Sequence, residues 1–308
     1  MKPISSILQK LLKDLKPYLD RKDINEIIIN TPNLVMLDLG NEKWEFKKNT
    51  KINESFLDTF PKQLATYSNQ QFDEKNIYLS SAIPGTNNRV GVVHSSILQS
   101  KTNSNEINIR IQKNSKFQLS DFTNKTDFHD QIQEIVQSNS NILISGATGS
   151  GKTALFNTLV EFIPDNHRIV TLEDSPELNP KHKNLTQLLV SKNGTSLSGT
   201  TYEDMINICM RLRPTNLLLG EIDTRNTAAF LRLANTGHDG MISTLHANST
   251  LDSVQAIVSN LTYSGSNLSL RGMYNFILSA IDYVIQIKDK QIVDVSDMKT
   301  LLNKSKGE

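Results

Sequence analysis

The 308-residue chain has one cysteine, one tryptophan and almost no net charge, formally +1. A single cysteine excludes an intrachain disulfide and any zinc site built from several thiolates. Near-neutral charge excludes a global attraction to nucleic acid or anionic lipid, so no specific nucleic acid is expected as a partner. No apolar run approaches the ~20 residues a membrane span needs, and the N-terminus lacks the apolar core of a signal peptide. A protein made and kept in the cytoplasm is therefore expected. Cys209 stands among Ile206, Ile208, Met210 and Leu212 on a predicted helix, where a buried, inert thiol is expected rather than a nucleophile. The apolar share of 37% and charged share of 21% are those of ordinary folded protein. The length suits two domains, each with its own core.

What the chain does contain is Gly146-Ala147-Thr148-Gly149-Ser150-Gly151-Lys152-Thr153. It matches G-x-x-x-x-G-K-[ST], the loop that wraps the phosphates of a nucleoside triphosphate. The apolar run Ile142-Leu143-Ile144-Ser145 enters it as a buried strand, and Ala154 to Val160 leaves it with helical spacing. Glycines let backbone N–H groups turn inward on an anion, and the new helix points its positive end at the same place. Lys152 supplies a mobile cation for the β- and γ-phosphates and Thr153 a hydroxyl for Mg²⁺. ATP or GTP is the predicted ligand.

Around this loop the chain changes character. Residues 4–15 put Ile4, Ile7, Leu8, Leu11, Leu12 and Leu15 on one helical face, with Lys10, Lys13 and Lys16 on the other. Such a helix either lies on a membrane surface or covers its own domain's core, and Pro17 is expected to break or bend it. Segments 26–30, 34–38, 89–93 and 107–111 read as strands. Residues 1–112 are thus predicted to form a mixed α+β domain, 113–127 a polar linker, and 128–308 an α/β nucleotide-binding domain. In the last region strands at 142–145, 168–173, 217–219 and 241–245 alternate with helices, one of them capped by Thr200 and Glu203. That rhythm predicts a mostly parallel sheet, closed by a hairpin of 284–287 against 291–294.

Ligands of an open parallel sheet sit at the carboxyl ends of its strands. There the chain places Glu173-Asp174, then Gly220-Glu221, then His246. Glu173, with Glu177 four residues on, suits a base that orients a water behind the γ-phosphate. Glu221 follows a purely apolar run, as a metal-holding or nucleophile-orienting acid would. His246 is placed to hydrogen-bond the γ-phosphate or Glu221 and to report nucleotide state. A metal shared by His238 and His246 is excluded by reach, since eight extended steps of ~3.3 Å separate them. Strand-end carboxylates also serve as helix caps, the plainer role weighed for each.

Four motifs in this order resemble the secretion-ATPase superfamily of type II and type IV secretion and pilus machines. They are Gly146–Thr153 as Walker A, Thr171–Leu178 as an Asp box, Arg211–Glu221 as a Walker B ending in Glu, and Asn235–Asn248 as a His box. Asp23–Pro32 and Ile107–Arg110 are similar to the N-terminal domain of the VirB-eleven-like branch of type IV secretion. The resemblance implies a RecA-like P-loop domain behind a smaller α+β domain, joined in a homo-hexamer that hydrolyses Mg-ATP. It implies a motor for transport or pilus assembly at the cytoplasmic base of a secretion or conjugation machine, peripheral at the inner membrane beside inner-membrane and coupling components. By position, Glu173 would be the base, Glu221 the Walker B acid and a metal residue with Thr153, and His246 the His-box histidine. Arg89 and Arg110 would be arginines reaching the phosphates, and Arg211 and Arg213 candidates for contacts between subunits.

The chain departs from the family where Asp223 and Asn226 stand for an Arg and a Glu, so an ion pair is lost or rewired through Arg225; Ala154 replaces a second Thr. Three other readings are open. Asn124-Lys125-Thr126-Asp127 matches a guanine-reading pattern but lacks a preceding apolar strand. A RecA-type DNA translocase and a non-hydrolysing, nucleotide-gated scaffold are the others.

Overall fold

In a computed structural model, residues 3–99, 104–112, 116–190 and 199–306 are described. Two compact units emerge, one comprising Met1–Ser115, Asp174–Pro176 and Val190–Thr201 and the other Lys116–Glu173, Glu177–Leu189 and Tyr202–Glu308. The start of the expected linker, 113–115, lies outside the described residues.

The first unit runs α1 (Ser6–Leu19), β1 (Glu26–Thr31), β2 (Leu34–Asp38), β3 (Trp44–Lys48), α2 (Glu54–Tyr67), β4 (Tyr78–Ala82), β5 (Arg89–Val93) and β6 (Glu106–Arg110). Its strands form one sheet in the order β3-β2-β1-β6-β5-β4, antiparallel at every pairing. Alternation explains the core: Ile27, Ile29, Val35, Leu37, Val90, Val92, Ile107 and Ile109 face inward against α1 and α2. The apolar stripe of α1 is spent on this core, with Leu8 and Leu15 buried and Ile4, Leu11 and Leu12 packed beside them.

Pro17 does not end α1, which continues to Leu19. It sits in the last turn, where it forfeits a single backbone bond. Pro61 lies deeper, inside α2. The Leu57 carbonyl, which Pro61 cannot satisfy, accepts instead from Asn105 Nδ2 at 3.0 Å. A buried acceptor is thus paired from outside the helix.

The second unit runs α3 (Thr126–Gln137), β7 (Ile142–Ser145), α4 (Lys152–Val160), β8 (Ile169–Glu173), β9 (Leu185–Leu189), α5 (Tyr202–Arg211), β10 (Asn216–Leu219), α6 (Thr227–Ala234), β11 (Ile242–Leu245), α7 (Thr250–Tyr263), α8 (Leu270–Leu278), β12 (Tyr283–Lys288), β13 (Gln291–Asp297) and α9 (Met298–Lys306). Among the described residues its sheet has the order β13-β12-β7-β11-β10-β8-β9. All neighbours pair in parallel except β13, which returns antiparallel on β12. The protein is therefore α/β in its larger part, a mostly parallel sheet preceded by a smaller α+β unit. The central strands β7, β8, β10 and β11 are buried along their whole length, as strands covered on both faces must be.

Leu119 and Phe122, inside the expected linker, are 2% and 1% exposed and pack in this second core with Ile132, Phe156 and Ile292. Two apolar side chains in a polar stretch suffice to dock it. Helix α5 starts at Tyr202, one residue later than a Thr200 cap implies. No helix of the described residues is long and apolar enough to cross a membrane.

Cys209 is fully buried, and burial pushes its thiol up to about 11. The thiolate is the reactive form, so Cys209 is expected to resist alkylation at pH 8 in the folded chain and to react once denatured. Mass spectrometry after iodoacetamide treatment checks this; rapid labelling of the native protein would contradict the burial.

Candidate active site

The loop between β7 and α4 is shaped by its glycines. Gly149 and Gly151 have φ of 75° and 102°, the left-handed region that side chains disfavour. At Gly146 there is simply no room: a Cβ would stand 2.5 Å from both the Ile287 carbonyl oxygen and Ser150 Oγ. The loop closes through Ser150 N–H on Ala147 O at 3.2 Å and is held from outside by Lys290 N–H on Ser150 O at 2.9 Å. The first-turn N–H groups of α4, lacking intrahelical acceptors, are available to an anion. Ser150 Oγ is buried with no hydrogen-bond partner, a further polar group suited to an oxygen-rich ligand.

Lys152 is buried at the mouth of α4. Its Nζ donates to the carbonyls of Gly146 at 2.8 Å and Ala147 at 2.9 Å and meets His246 Nδ1 at 3.2 Å. Burial lowers the ammonium's pKa from its usual value, against the opposing pull of Glu221 and Glu177. His246 in turn lies 2.8 Å from Glu221 Oε1 through Nε2. A lysine ammonium can only donate, so this pair of contacts is met by the tautomer that carries its proton on Nε2. The three motif residues Lys152, His246 and Glu221 thus form one continuous polar chain at the carboxyl ends of β11 and β10.

On the opposite flank Thr153 Oγ1 donates to Glu177 Oε2 at 3.0 Å. Its observed carboxylate partner is therefore Glu177, whereas Glu221 engages His246. Glu173, 3% exposed, accepts two backbone N–H groups on Oε1, from Glu177 and Leu178, both at 2.9 Å. Asn157 fastens the same segment to α4, donating to Thr153 O and Glu177 O and accepting from Asn179 N–H. Gly220 leaves the space into which Glu173 packs, with a Cβ there meeting Glu173 Cγ at 3.3 Å. In the sequence Glu177 reads only as a neighbour of Glu173, and Asn157 belongs to no motif. The spacing from Thr153 to Asn157, one helical turn, is the signal that was present.

Asp223 and Arg225 form an ion pair, and Arg225 N–H donates to Asp223 Oδ1 at 2.8 Å. The charge at 223 is thus answered two residues away. Asn226, 1% exposed, donates to Glu221 O and accepts from Asp223 N–H, both at 2.9 Å; it braces the backbone beside the acid. Arg89 and Arg110 stand opposite each other on β5 and β6 of the first unit. Like charges so placed repel. Arg211 ends α5 and Arg213 adopts a left-handed φ of 50°. His238 Nδ1 contacts Thr236 Oγ1 at 3.2 Å and lies before β11, while His246 follows it.

Residues 83–290 match the family model described as "Type II/IV secretion system protein". A protein of Bartonella henselae called "Type IV secretion system protein VirB11" is 30% identical over 324 aligned positions, spanning 92% of this chain and 90% of its own length. The chain belongs to the type II/IV secretion system protein family. It is a secretion ATPase of the VirB11 branch. "Protein VirB11" of Agrobacterium fabrum is 36% identical over 149 positions, 48% of this chain and 43% of its own. Among solved structures, the Legionella pneumophila ATPase DotB superposes with a TM-score of 0.69 at 17% identity, covering 100% of this chain and 89% of that one. The VirB11 ATPase from the Brucella suis type IV secretion system, solved with sulphate, gives a TM-score of 0.51 at 21% identity, covering 98% and 97%. These two show a shared fold.

In this secretion ATPase a methyl group at position 146 has to displace backbone. Overpacking of that kind costs ~1–3 kcal/mol, so Gly146→Ala is expected to weaken binding of an ATP analogue about tenfold or more. Titration with a fluorescent nucleotide checks this, and unchanged affinity would contradict the loop's role.

Proposed function

We propose that this chain is the ATP-hydrolysing motor subunit of a type IV secretion machine, working as a homo-hexamer with Mg²⁺-ATP in the loop Gly146–Thr153. The observation that carries the reading is the polar chain from Lys152 through His246 to Glu221, since it ties the phosphate-loop cation to the strand-end acid. The family's transport role is the reason to read hydrolysis as work on cargo or pilus assembly. The same reading has the motor at the machine's inner-membrane base, held there by partner proteins.

The chemistry follows from the side chains. Phosphoryl transfer needs positioning and charge neutralisation more than covalent help. Lys152, drawn by the β- and γ-oxygens, would exchange its carbonyl partners for phosphate. His246 meets the terminal phosphate on the side where Lys152 now touches it, and passes the change to Glu221. Glu173, with its carboxylate plane fixed by two backbone donors, orients a water and accepts its proton. The oxygen pair Thr153 and Glu177 has the chemistry a hard cation takes. A Mg²⁺ held there would supply neutralisation of phosphate charge. Arg89 and Arg110 are assigned to the developing phosphoryl charge, which a guanidinium is suited to meet.

Phosphate release by purified protein tests this. Lys152→Ala is expected to abolish turnover, and Glu173→Gln to lower kcat by ~10²–10⁴ while nucleotide still binds. Wild-type protein that turns ATP over no faster than Glu173→Gln would make the chain a nucleotide-gated scaffold instead.

A further inference from the structure

The hairpin of β12 and β13 touches both halves of the site. At its turn Lys290 N–H holds Ser150 O, and Ile287 O presses on Gly146. Further back, Gln286 projects from a strand whose neighbouring residues Val284, Ile285 and Ile287 are apolar and buried. Its Nε2 donates to Ala247 O at 3.2 Å, the carbonyl next to His246. Asp294 lies opposite Gln286 in register and accepts from Thr250 Oγ1 at 2.6 Å, the first residue of α7. The segment that follows His246 is therefore fastened to the hairpin at Ala247 and at Thr250.

Gln286 is an expensive residue for its place. It is 4% exposed, its Oε1 has no hydrogen-bond partner, and neither has Ser145 Oγ, its register partner on β7. A buried amide with an unmet acceptor lowers stability, and an apolar side chain of equal length would avoid that cost. What the amide provides is the bond to Ala247 O. Hydrogen bonds of 2.8 and 3.2 Å on the two nitrogens of one imidazole tolerate little movement of the ring.

We propose that Gln286 is a positioning residue of this ATPase, fixing the Ala247 carbonyl so that the His246 ring stays in line between Lys152 and Glu221. The proposal rests on the reading of that chain as part of the hydrolytic site. The peptide at 247, once released, lets the ring leave one of its two partners, and the coupling is lost while the phosphate loop keeps its shape.

The test is a double-mutant cycle on the full chain with Gln286→Met, His246→Ala and both together, measuring kcat, KM for ATP and Tm. Loss of one buried hydrogen bond at the site predicts a kcat about tenfold lower for Gln286→Met. KM for ATP is expected to rise no further than it does in His246→Ala, whereas ADP, measured as a competitive inhibitor, is expected to bind within about twofold of wild type because the phosphate loop keeps its shape. In the His246→Ala background the same change should have no further effect on kcat. Where the Met chain does not fold, Gln286→Asn, which keeps an amide but falls a methylene short, is expected to give the same split. A wild-type kcat for the folded Gln286 variant, or losses that multiply in the double mutant, would overturn the proposal. Full activity of His246→Ala would overturn the reading of the site as well, whereas an impaired His246→Ala beside an unimpaired Gln286 variant removes the Gln286 role alone.

Discussion

A buried ammonium must be answered by oxygen or nitrogen lone pairs, and Lys152 sets that demand at the centre of the site. Its three partners are two carbonyls of its own loop and the ring of His246. The two carbonyls hold the loop around the cation, and the first-turn N–H groups of α4 remain to meet an anion. The histidine carries the contact to Glu221. In the function proposed above, a triphosphate brings competing charge to the same ammonium, so binding at the loop would alter what His246 touches.

The rest of the second unit keeps these groups in register. Strands β7, β10 and β11 are short and buried along their whole length, which restricts movement of the residues at their ends. They lead into the glycine loop, Glu221 and His246. The return hairpin β12–β13 then grips the phosphate loop and the His246 segment together. Glu173 is treated in the same way: backbone amides hold one carboxylate oxygen, and Gly220 makes room for its stem. Rigidity around the acids is the common theme, as preorganised electrostatics require.

Much of this could be read from residues alone because the signals were local. A glycine-rich loop between an apolar strand and a helix leaves little choice of structure, and strand-end acids after apolar runs announce themselves. The elements that were not anticipated failed for physical reasons. Helix α2 contains Pro61, which local rules treat as a break; the rescue of Leu57 O comes from Asn105, forty-eight residues away. Strand β3, Trp44–Lys48, is mostly exposed, and its alternating Trp44 and Phe46 face solvent and not a core. Leu119 and Phe122 look like linker until a distant core receives them. The partnership of Thr153 with Glu177 crosses twenty-four residues, and Gln286 stands out only once its strand is known to be buried. Long-range satisfaction of single polar groups, not secondary structure, is what spacing does not reveal.

The sharpest trial of the Lys152–His246–Glu221 chain is a comparison of affinities for ADP and for a non-hydrolysable ATP analogue by calorimetry, in the wild type and in His246→Ala. If His246 senses the terminal phosphate, the wild type prefers the triphosphate and the variant loses that preference while still binding ADP. Equal preference in the two proteins would mean that His246 neither meets the γ-phosphate nor conveys its presence, and the coupling described here would not exist.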